Sequence, residues 1–293
     1  MKYYDNIVDL TIDNAITKII RLVGNKKKVL EFGCATGYMS KVLKEQFSCD
    51  VTGVEINPEL AEKAREFCGN IVVGDIENLD IPNIFKSVTF DVILFVDVLE
   101  HLKDPAEILR KVFILLKDNG YVLASIPNIA HASVIIELIK GDFRYRPLGL
   151  LDDTHIHFFT KRSIYELFEK SGFVVRLIDR VRMTPESTEF NTPVYTVPKE
   201  VIDYLYRRNE DVETYQFIVK AYKSTDTGTI LKLREEIAEK DSQIAEKDKQ
   251  ISEKDSQISE KEKKLQRLLY SKSWRITAPL RGLYNIVKRF LLL

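Results

Sequence analysis

A strand, a glycine-containing turn and a helix follow one another at residues 29–47. Residues 29–32 are apolar apart from one acid, Gly33 and Gly37 punctuate the turn, and a helical pattern begins at Met39. Glycine lets a backbone approach a ligand closely, or adopt a positive φ, without a Cβ clash. Ligands of open α/β sheets bind at the carboxyl ends of the strands, where this turn lies. The turn is therefore the first candidate for a binding site.

The spacing of the glycines narrows the choice of ligand. A dinucleotide-binding loop needs G-x-G-x-x-G, but the third glycine position counted from Gly33 holds Tyr38. A P-loop needs G-x-x-x-x-G-K-[ST], and the sequence contains no such run. The pattern that remains, E-x-G-x-[AG]-x-G from Glu31 to Gly37, resembles motif I of the class I S-adenosylmethionine (SAM) methyltransferases. Ala35 stands where that family usually has its middle glycine.

Three further segments stand where this family would have them. Residues 51–55 are predicted to form a second strand, which ends in Glu55 about twenty residues after the glycine turn. Residues 71–76 are predicted to form a third strand that ends in an acid, Asp75. Residues 90–102 form a fourth, apolar on both faces as a buried parallel strand must be, and end in D-x-L-E-H-L, again typical of the family. The alternative for any one segment is an ordinary turn with a solvated acid.

The resemblance implies a set of cofactor contacts. A carboxylate at Glu55 can accept both ribose hydroxyls. The family assigns the adenine amino group to Asp75 and an adenine ring nitrogen to the N–H of Ile76. Asp97 is expected to contact the methionine end, whose carboxylate would otherwise bind N–H groups of the glycine turn. The cofactor-binding residues expected for SAM are Glu31, Gly33, Cys34, Gly37, Glu55, Asp75, Ile76 and Asp97.

The candidate catalytic residue is His155. Transfer of a methyl group to oxygen needs the hydroxyl proton removed, typically by histidine, and all four histidines of the chain lie between residues 101 and 157. Residues 152–160 resemble the T-H-x-x-F-[FY]-T signature of a methyltransferase subgroup that acts on sugars, polyketides and related hydroxyls. The matching residues are Thr154, His155, Phe158, Phe159 and Thr160. His155 is expected to act as the general base or to orient the acceptor hydroxyl; the alternative is a histidine that caps or packs under an insertion.

Four other residues are candidate contacts for the acceptor: His101, His131, Arg144 and His157. His101 is expected to line the cofactor pocket, and His131 has the alternative of a surface-helix position. Arg144 belongs to an aromatic and basic run, residues 141–146, that suits either a lid over a sugar or phosphate or an ordinary loop.

A divalent metal site is an alternative use of the acids and histidines at 152–157, and the sequence does not favour it. Asp152, Asp153, His155 and His157 could converge on a divalent ion. The H-x-H spacing brings both imidazoles to one side only if the segment is a strand, and the sequence does not decide this.

The composition of the chain narrows the kinds of function and the cellular location that are expected. The chain of 293 residues has 44 basic and 44 acidic residues, but residues 263–293 carry eight Lys and Arg and no acid. The remainder is net −8, which argues against a nucleic-acid-binding catalytic domain. Cys34, Cys49 and Cys68 show no metal spacing and indicate free thiols in a reducing compartment. With neither a signal pattern nor an apolar run of about eighteen residues, a cytoplasmic protein is expected.

The order of segments predicts a Rossmann-like, doubly wound seven-stranded α/β sheet in a methyltransferase domain over residues 1–225. A first helix is predicted over residues 9–23, with Asp13 or Asn14 as its cap, and a helix over 162–171 is predicted to end at Gly172. The other predicted parts are strands at 120–126, 173–178 and 215–222, an insertion at 128–162, a Pro-rich loop at 184–198 and a short helix at 199–208. In the family the last strand is antiparallel.

Residues 226–270 predict a coiled-coil rod. Four near-copies of one heptad fill residues 239–266, with Ile237, Ile244, Ile251, Ile258 and Leu265 seven residues apart. The second core position holds Lys or Asp, so a solvated single helix is the alternative. At about 1.5 Å per residue a helix here would reach on the order of 60 Å. Self-association or a glycosyltransferase partner is the expected use of such a rod.

Residues 271–293 predict a basic amphipathic tail. A helix starting at Pro279 would place Leu280, Leu283 and Val287 on one face and basic residues opposite, as at an anionic membrane surface. A partner-protein groove and self-association are the alternatives. The run at 271–281 resembles a C-terminal motif that follows heptad-rich helices in prokaryotic glycosyltransferases and methyltransferases of surface-polysaccharide assembly.

Together these features predict an O-methyltransferase for a glycan or a nucleotide- or lipid-linked sugar, held at the inner face of the plasma membrane. A degenerate SAM-binding scaffold that recruits glycosyltransferases and a small-molecule methyltransferase of quinone type are the alternatives.

Overall fold

The computed structural model describes residues 8–224 and 227–269. The chain divides into two units, residues 1–225 and 226–293. The first alternates strands and helices, and the described part of the second is one long helix. The predicted tail at 271–293 lies outside the described residues. Within those residues, no helix combines the length and apolar character that crossing a membrane requires.

The first unit is built on a seven-stranded mixed sheet of order β3-β2-β1-β4-β5-β7-β6. Its elements in chain order are α1 (Ala15–Val23), β1 (Lys28–Phe32), α2 (Tyr38–Glu45), β2 (Asp50–Glu55), α3 (Pro58–Ala64), β3 (Asn70–Val73), α4 (Ile81–Ile84), β4 (Phe90–Val96), α5 (Pro105–Phe113), β5 (Leu116–Pro127), α6 (Ala132–Ile139), α7 (Lys161–Lys170), β6 (Phe173–Arg182), α8 (Lys199–Arg208) and β7 (Thr214–Lys223). Strands β1 to β5 pair in parallel, and β7 is antiparallel to both β5 and β6. The predicted Rossmann-like sheet with an antiparallel last strand is confirmed.

Helices cover both faces of the sheet. On one face Ile19 of α1, Met39 of α2 and Ala61 of α3 pack against strand residues. On the other, Ile108 of α5 and Ile164 of α7 do the same. The central strands are buried on both sides, so they are sequences of nearly continuous apolar residues. Because the strand order reverses between β1 and β4, the ligand crevice of such a sheet opens beyond the carboxyl ends of these two strands.

A small cap stands apart from the sheet core. Ala132 and Ile136 of α6 pack with Val197 and Val212, against partly buried Ile202 of α8. The segment predicted as an insertion at 128–162 therefore contains a helix, and that helix belongs with residues some sixty positions later in the chain. The Pro-rich loop contains two single 3₁₀ turns, at Pro185–Ser187 and Val194–Thr196.

The first helix begins later than predicted. Asn14 caps it, accepting from the N–H of Thr17, while the Thr17 hydroxyl accepts from the N–H of Asn14. Upstream, the Asp9 carboxylate accepts from the N–H and hydroxyl of Thr11 and so holds a turn instead of a helix. At the other predicted helix end, Gly172 follows α7 with φ +85°, as expected of a C′ glycine.

The second unit contains α9 (Thr227–Leu269), a single helix of 43 residues. Ile244, Ile251 and Ile258 are about half exposed on it in the single chain. The predicted long helix is therefore present.

The turn between β1 and α2 leads to a stability prediction. Gly37 has φ +76°, and an added Cβ would lie 3.0 Å from the Cα of Ala64. Gly141 has φ +81° with nothing near the same position. We expect Gly141→Ala to lower the free energy of unfolding by about 1 kcal/mol through φ strain alone. Gly37→Ala should lower it by about 3 kcal/mol, because backbone must also move.

Urea unfolding of the full chain, followed by near-ultraviolet circular dichroism, measures both effects. Equal losses in the two variants would show that close packing of α2 against α3 does not constrain the turn.

Candidate functional site

The four segments predicted to bind the cofactor meet at one edge of the sheet. Strands β1 to β4 are parallel, so their carboxyl ends lie together. The glycine turn follows β1, Glu55 ends β2, Asp75 follows β3 and Asp97 follows β4. The expected cofactor site is thus spatially contiguous.

Glu55 connects β2 to the glycine turn. Its buried carboxylate accepts from the N–H of Ala35 at 2.8 Å and from the N–H of Asn57 at 2.9 Å. Ala35 has φ +49°, in the left-handed region, where a residue with a Cβ costs roughly 1–2 kcal/mol. The carboxylate therefore helps to hold the turn in a conformation that a glycine would adopt without strain. A carboxylate has about four acceptor positions, which leaves capacity for two further donors.

A buried polar network supports the turn from below. The Glu31 carboxylate accepts from the Ser40 hydroxyl at 2.5 Å, and the Cys68 thiol donates to the same hydroxyl at 3.3 Å. Cys34 is fully buried, whereas Gly33 is exposed on the open side of the turn. Burial raises the pKa of Glu31 to about 8. The side chains of Glu31 and Cys34 therefore stabilise the turn instead of lining its open side, and their contact with a ligand stays a prediction.

Asp75 and Ile76 occupy a turn after β3, and both are partly exposed. The Asp75 carboxylate accepts from the N–H of Glu77 at 2.9 Å and from the side-chain amide of Asn78 at 2.7 Å. These bonds fix the turn. The assignment of Asp75 and Ile76 to adenine stays a prediction.

Asp97 follows directly after β4. Its backbone has φ +54°, and its carboxylate accepts from the Ser125 hydroxyl at 2.6 Å and from the Gln216 side-chain amide. The residue is exposed, although protein surrounds its carboxylate. Desolvation of the carboxylate raises its pKa, while hydrogen bonds from Ser125 and Gln216 and the charge of His101 lower it. Sequence analysis missed Ser125 and Gln216. Ser125 is the one polar side chain in the apolar run at 121–126, which was a usable signal, whereas Gln216 lies in a strand with other polar residues.

The next turn brings three side chains together. Leu99–His101 form a 3₁₀ turn directly after β4. The rings of His101 and His155 are 4.8 Å apart between centroids. The atoms that Glu100, His101 and His155 offer as metal ligands all lie within 4.8 Å of one another. Glu100 belongs to the L-E-H-L run but was not among the predicted site residues.

Glu100 is 1% exposed. Among the described residues, neither of its carboxylate oxygens has a hydrogen-bond partner. Burial raises its pKa well above the ordinary value, and the Asp97 charge adds to the shift, while its own backbone N–H opposes it. A buried carboxyl in such surroundings favours a bound proton or a bound cation.

His155 is half-buried beside this carboxyl. Burial lowers its pKa, and the charge of His101 lowers it further, while Asp152 and the Leu150 carbonyl act in the opposite direction. The imidazole is therefore neutral at neutral pH, the form that can accept a proton or bind a metal ion.

The segment carrying His155 is anchored to the 3₁₀ turn. The backbone N–H groups of Ile156 and His157 donate to the Glu100 carbonyl at 2.9 and 3.0 Å. Nε2 of His157 lies 3.1 Å from the Lys103 carbonyl. His157 therefore has an anchoring contact here, and its predicted contact with an acceptor stays untested.

His131 is not on an accessible surface. It is fully buried, with Nδ1 at 2.9 Å from the Ser133 hydroxyl and Nε2 at 2.9 Å from the Met183 carbonyl. Because both ring nitrogens are engaged, the prediction that His131 contacts the acceptor is wrong, and so is the surface-helix alternative. His131 is the N-cap of α6.

An aromatic group borders His155. The ring of Phe158 lies 6.2 Å from His155, 6.2 Å from Phe143 and 6.4 Å from Tyr145 between centroids. Phe143 and Tyr145 are exposed. Arg144 lies between them in sequence, exposed, with Nε donating to Asp142 at 2.9 Å. We call Phe143, Tyr145 and Phe158 the aromatic platform.

The four residues considered from the sequence as metal ligands do not come together in the described part of the structure. Of Asp152, Asp153, His155 and His157, only His155 belongs to the ligand-spaced group found among the described residues. Asp152 instead accepts from the hydroxyl and N–H of Thr154.

Comparisons with known proteins agree with this architecture. A family model described as a methyltransferase domain matches residues 10–178. The ubiquinone biosynthesis O-methyltransferase of Aeromonas salmonicida is 24% identical over 172 residues, which cover 56% of this chain and 70% of that protein. An uncharacterized protein of Methanocaldococcus jannaschii is 27% identical over 210 residues, 70% of this chain and 80% of that protein.

Among solved structures, a SAM-dependent methyltransferase from Archaeoglobus fulgidus has the same fold. It superposes with a TM-score of 0.50 at 21% identity, covering 71% of this chain and 91% of that one.

The raised pKa of Glu31 leads to a prediction about pH. Between its ordinary pKa near 4.5 and its folded value of about 8, the folded protein holds a proton that the unfolded chain releases. Stability from this group is therefore complete at low pH and is lost as pH rises through that window. We expect Glu31→Gln, which stays neutral, to reduce the decline in unfolding free energy between pH 5 and 8 by on the order of 3 kcal/mol.

Urea unfolding at the two pH values, for wild type, Glu31→Gln and the exposed control Glu59→Gln, measures the difference. The same decline in all three proteins would contradict a protonated Glu31.

Proposed function

The chain belongs to the family of methyltransferase domains and is a SAM-dependent enzyme, and we propose that it methylates a hydroxyl group of a sugar. The proposed acceptor is a surface glycan or its nucleotide- or lipid-linked precursor. The observation that carries the proposal is the position of His155, which lies between the carboxyl end of β4 and the aromatic platform.

The residues at the sheet edge fit SAM. Gly33 is exposed at a positive φ, so the turn presents bare backbone to a ligand. Glu55 lies at the end of the neighbouring strand with acceptor capacity for a ribose diol. Asp97 is exposed as a residue, whereas the surrounding protein shields its carboxylate from water. When bound, SAM supplies an electrophilic methyl group on its sulfonium sulfur. We propose that Asp75 and Ile76 hold adenine and that Asp97 and the glycine turn hold the methionine end.

The chain's own residues would prepare the acceptor. A neutral His155 can hold the acceptor hydroxyl and favour loss of its proton, a contribution of about 10²–10⁴-fold in rate for such a group. The aromatic platform offers flat, partly exposed rings next to His155. We propose that Arg144 and His101 border the same space, where an exposed guanidinium suits a phosphate-bearing acceptor.

A sugar acceptor is supported by two resemblances, the T-H-x-x-F-F-T segment at 154–160 and the C-terminal run at 271–281. The second candidate is a small phenolic acceptor of quinone type. It is favoured by the similarity to proteins named ubiquinone biosynthesis O-methyltransferases. The aromatic platform suits either ring by stacking, so the acceptor class is decided by assay.

The two C-terminal segments are proposed to place the enzyme. We propose that residues 226–270 act as a coiled-coil rod, because exposed Ile244, Ile251 and Ile258 recur every seven residues along α9. A second copy is the proposed partner, with a glycosyltransferase as the alternative. The tail at 271–293 is proposed to contact the inner face of the plasma membrane through its basic residues. A pure scaffold role is opposed by the ordered Glu55 and glycine turn.

The cofactor assignment is tested at Glu55. Each hydrogen bond to a charged group contributes about 1.5–3 kcal/mol, so Glu55→Gln should weaken SAM binding by the full chain at least hundredfold. Glu59→Gln, an exposed change on α3, is the control. Isothermal titration calorimetry with SAM and with S-adenosylhomocysteine measures both affinities. Unchanged affinity in a folded Glu55→Gln protein would overturn the assignment.

The same protein then identifies the acceptor class. SAM labelled in its methyl group is offered with a nucleotide-linked sugar, a lipid-linked sugar or a catechol. Label in either sugar supports the proposal, and label only in the catechol replaces it with the second candidate. No label in any of them, despite SAM binding, would favour the scaffold.

Self-association of the rod is tested at Ile251. Burying one isoleucine contributes about 2 kcal/mol, so Ile251→Asp should weaken dimerisation of the full chain at least hundredfold because two copies are affected. Ser252→Asp adds the same charge one residue away and should have a smaller effect. Sedimentation equilibrium measures the dissociation constants. A wild-type chain that stays monomeric at every concentration would exclude the second copy as partner.

A further inference from the structure

Glu100 is a buried carboxyl for which the proposed function gives no role. It is 1% exposed, and neither carboxylate oxygen has a hydrogen-bond partner among the described residues. A buried polar group without a partner costs roughly 1–3 kcal/mol, and a charged one costs more. Such a group in a folded protein therefore needs an explanation.

The surroundings of Glu100 suit a metal ion. The donor atoms of Glu100, His101 and His155 lie within 4.8 Å of one another. All three residues come from two segments that are fixed to each other, because the Glu100 carbonyl accepts from the backbone N–H groups of Ile156 and His157. The cluster is therefore held by backbone bonds that do not depend on the side chains themselves.

The imidazole of His101 is oriented as a metal ligand usually is. Nδ1 of His101 lies 3.1 Å from the Thr154 carbonyl, so an N–H there donates to it and Nε2 is left as the free lone pair. Metal-binding histidines almost always give their other ring N–H to a carbonyl or carboxylate, which fixes the tautomer and the ring orientation.

We propose that Glu100, His101 and His155 bind one divalent transition-metal cation of the zinc class at the carboxyl end of β4. Two imidazoles and one carboxylate form the donor set of open zinc sites, which keep a further position for water or substrate. Magnesium prefers an all-oxygen shell and is disfavoured here. Donor atoms around a tetrahedral ion at about 2.0–2.2 Å are on the order of 3.4 Å apart, so small side-chain rotations complete the site.

This inference rests on the proposed function and refines it. The open position of the cation would take the oxygen of the acceptor hydroxyl and lower the pKa of that group. The O–H bond breaks, its electron pair stays on oxygen, and the proton leaves to solvent water. His155 then acts as a ligand that positions the cation, and the acceptor class is narrowed to hydroxyls that can reach a metal ion.

The test uses the full-length chain without an affinity tag, freed of metal by a chelator and exchanged into metal-free buffer. Calorimetric titration with Zn²⁺ alone should give one equivalent per chain with a dissociation constant in the micromolar range or below. Titration with Co²⁺ should give the visible absorption bands of a low-coordinate site. Mg²⁺ should bind at least hundredfold more weakly than Zn²⁺.

Three variants locate the site. Glu100→Gln and His155→Gln should each weaken Zn²⁺ binding at least hundredfold and remove the Co²⁺ bands. His157→Gln changes the neighbouring histidine, whose Nε2 contacts the Lys103 carbonyl instead, and should keep both. Glu100→Gln replaces a buried carboxyl by a neutral isostere, so it is expected to fold. Circular dichroism confirms folding.

Zn²⁺ binding that is absent from wild type, or equal in wild type and Glu100→Gln, would overturn the proposal. A SAM titration of each protein distinguishes a failure of the metal site from a failure of the proposed function. SAM binding without Zn²⁺ binding would remove the metal site and leave the proposed function in place. Zn²⁺ binding without SAM binding would leave the metal site and remove the proposed function.

Discussion

The two hydrogen bonds that Glu55 accepts from backbone N–H groups are the constraint on which the site depends. The bond from the N–H of Ala35 joins the end of β2 to the turn after β1, where Ala35 has φ +49°. The bond from the N–H of Asn57 fixes the Glu55 carboxylate to the turn after β2. A residue with a Cβ at the φ of Ala35 costs roughly 1–2 kcal/mol, which the bond to Glu55 helps to offset. The Glu31–Ser40 bond supports the same turn from below. The proposed cofactor edge is thus a strained backbone segment held by two buried acids.

The proposed acceptor side is built from one short segment whose residues have different physical tasks. Thr154 contacts His101 through its hydroxyl and carbonyl, while Phe158 carries the aromatic platform. Phe159 enters the core, and Thr160 caps α7. A sequence signature of this kind therefore records capping and packing as well as chemistry. His155 lies between His101 and Phe158 because its neighbours fix the chain on either side.

Much of the sheet could be predicted from the sequence, because buried parallel strands are continuous apolar runs and acids at their ends stand out. The cap could not, because α6 packs with residues about sixty positions later, and no local pattern reports that pairing. The burial of His131 has the same origin, since its partner carbonyl is at Met183. The first helix was misjudged because an Asx-type turn at Asp9 competes with helix formation. Glu100 was overlooked because its sequence context gives no sign that its oxygens lack partners.

The antiparallel β7 strand has a consequence for the order in which the protein is made. Gln216 lies on β7, and its amide holds the carboxylate of Asp97, 119 positions earlier in the chain. Because β7 also inserts between β5 and β6, the edge of β5 stays open until residue 223 has left the ribosome. The amino-terminal half of the sheet can collapse during synthesis, at roughly 5–20 residues per second. The contact between Gln216 and Asp97 can therefore form only after the last strand of the sheet has been synthesised.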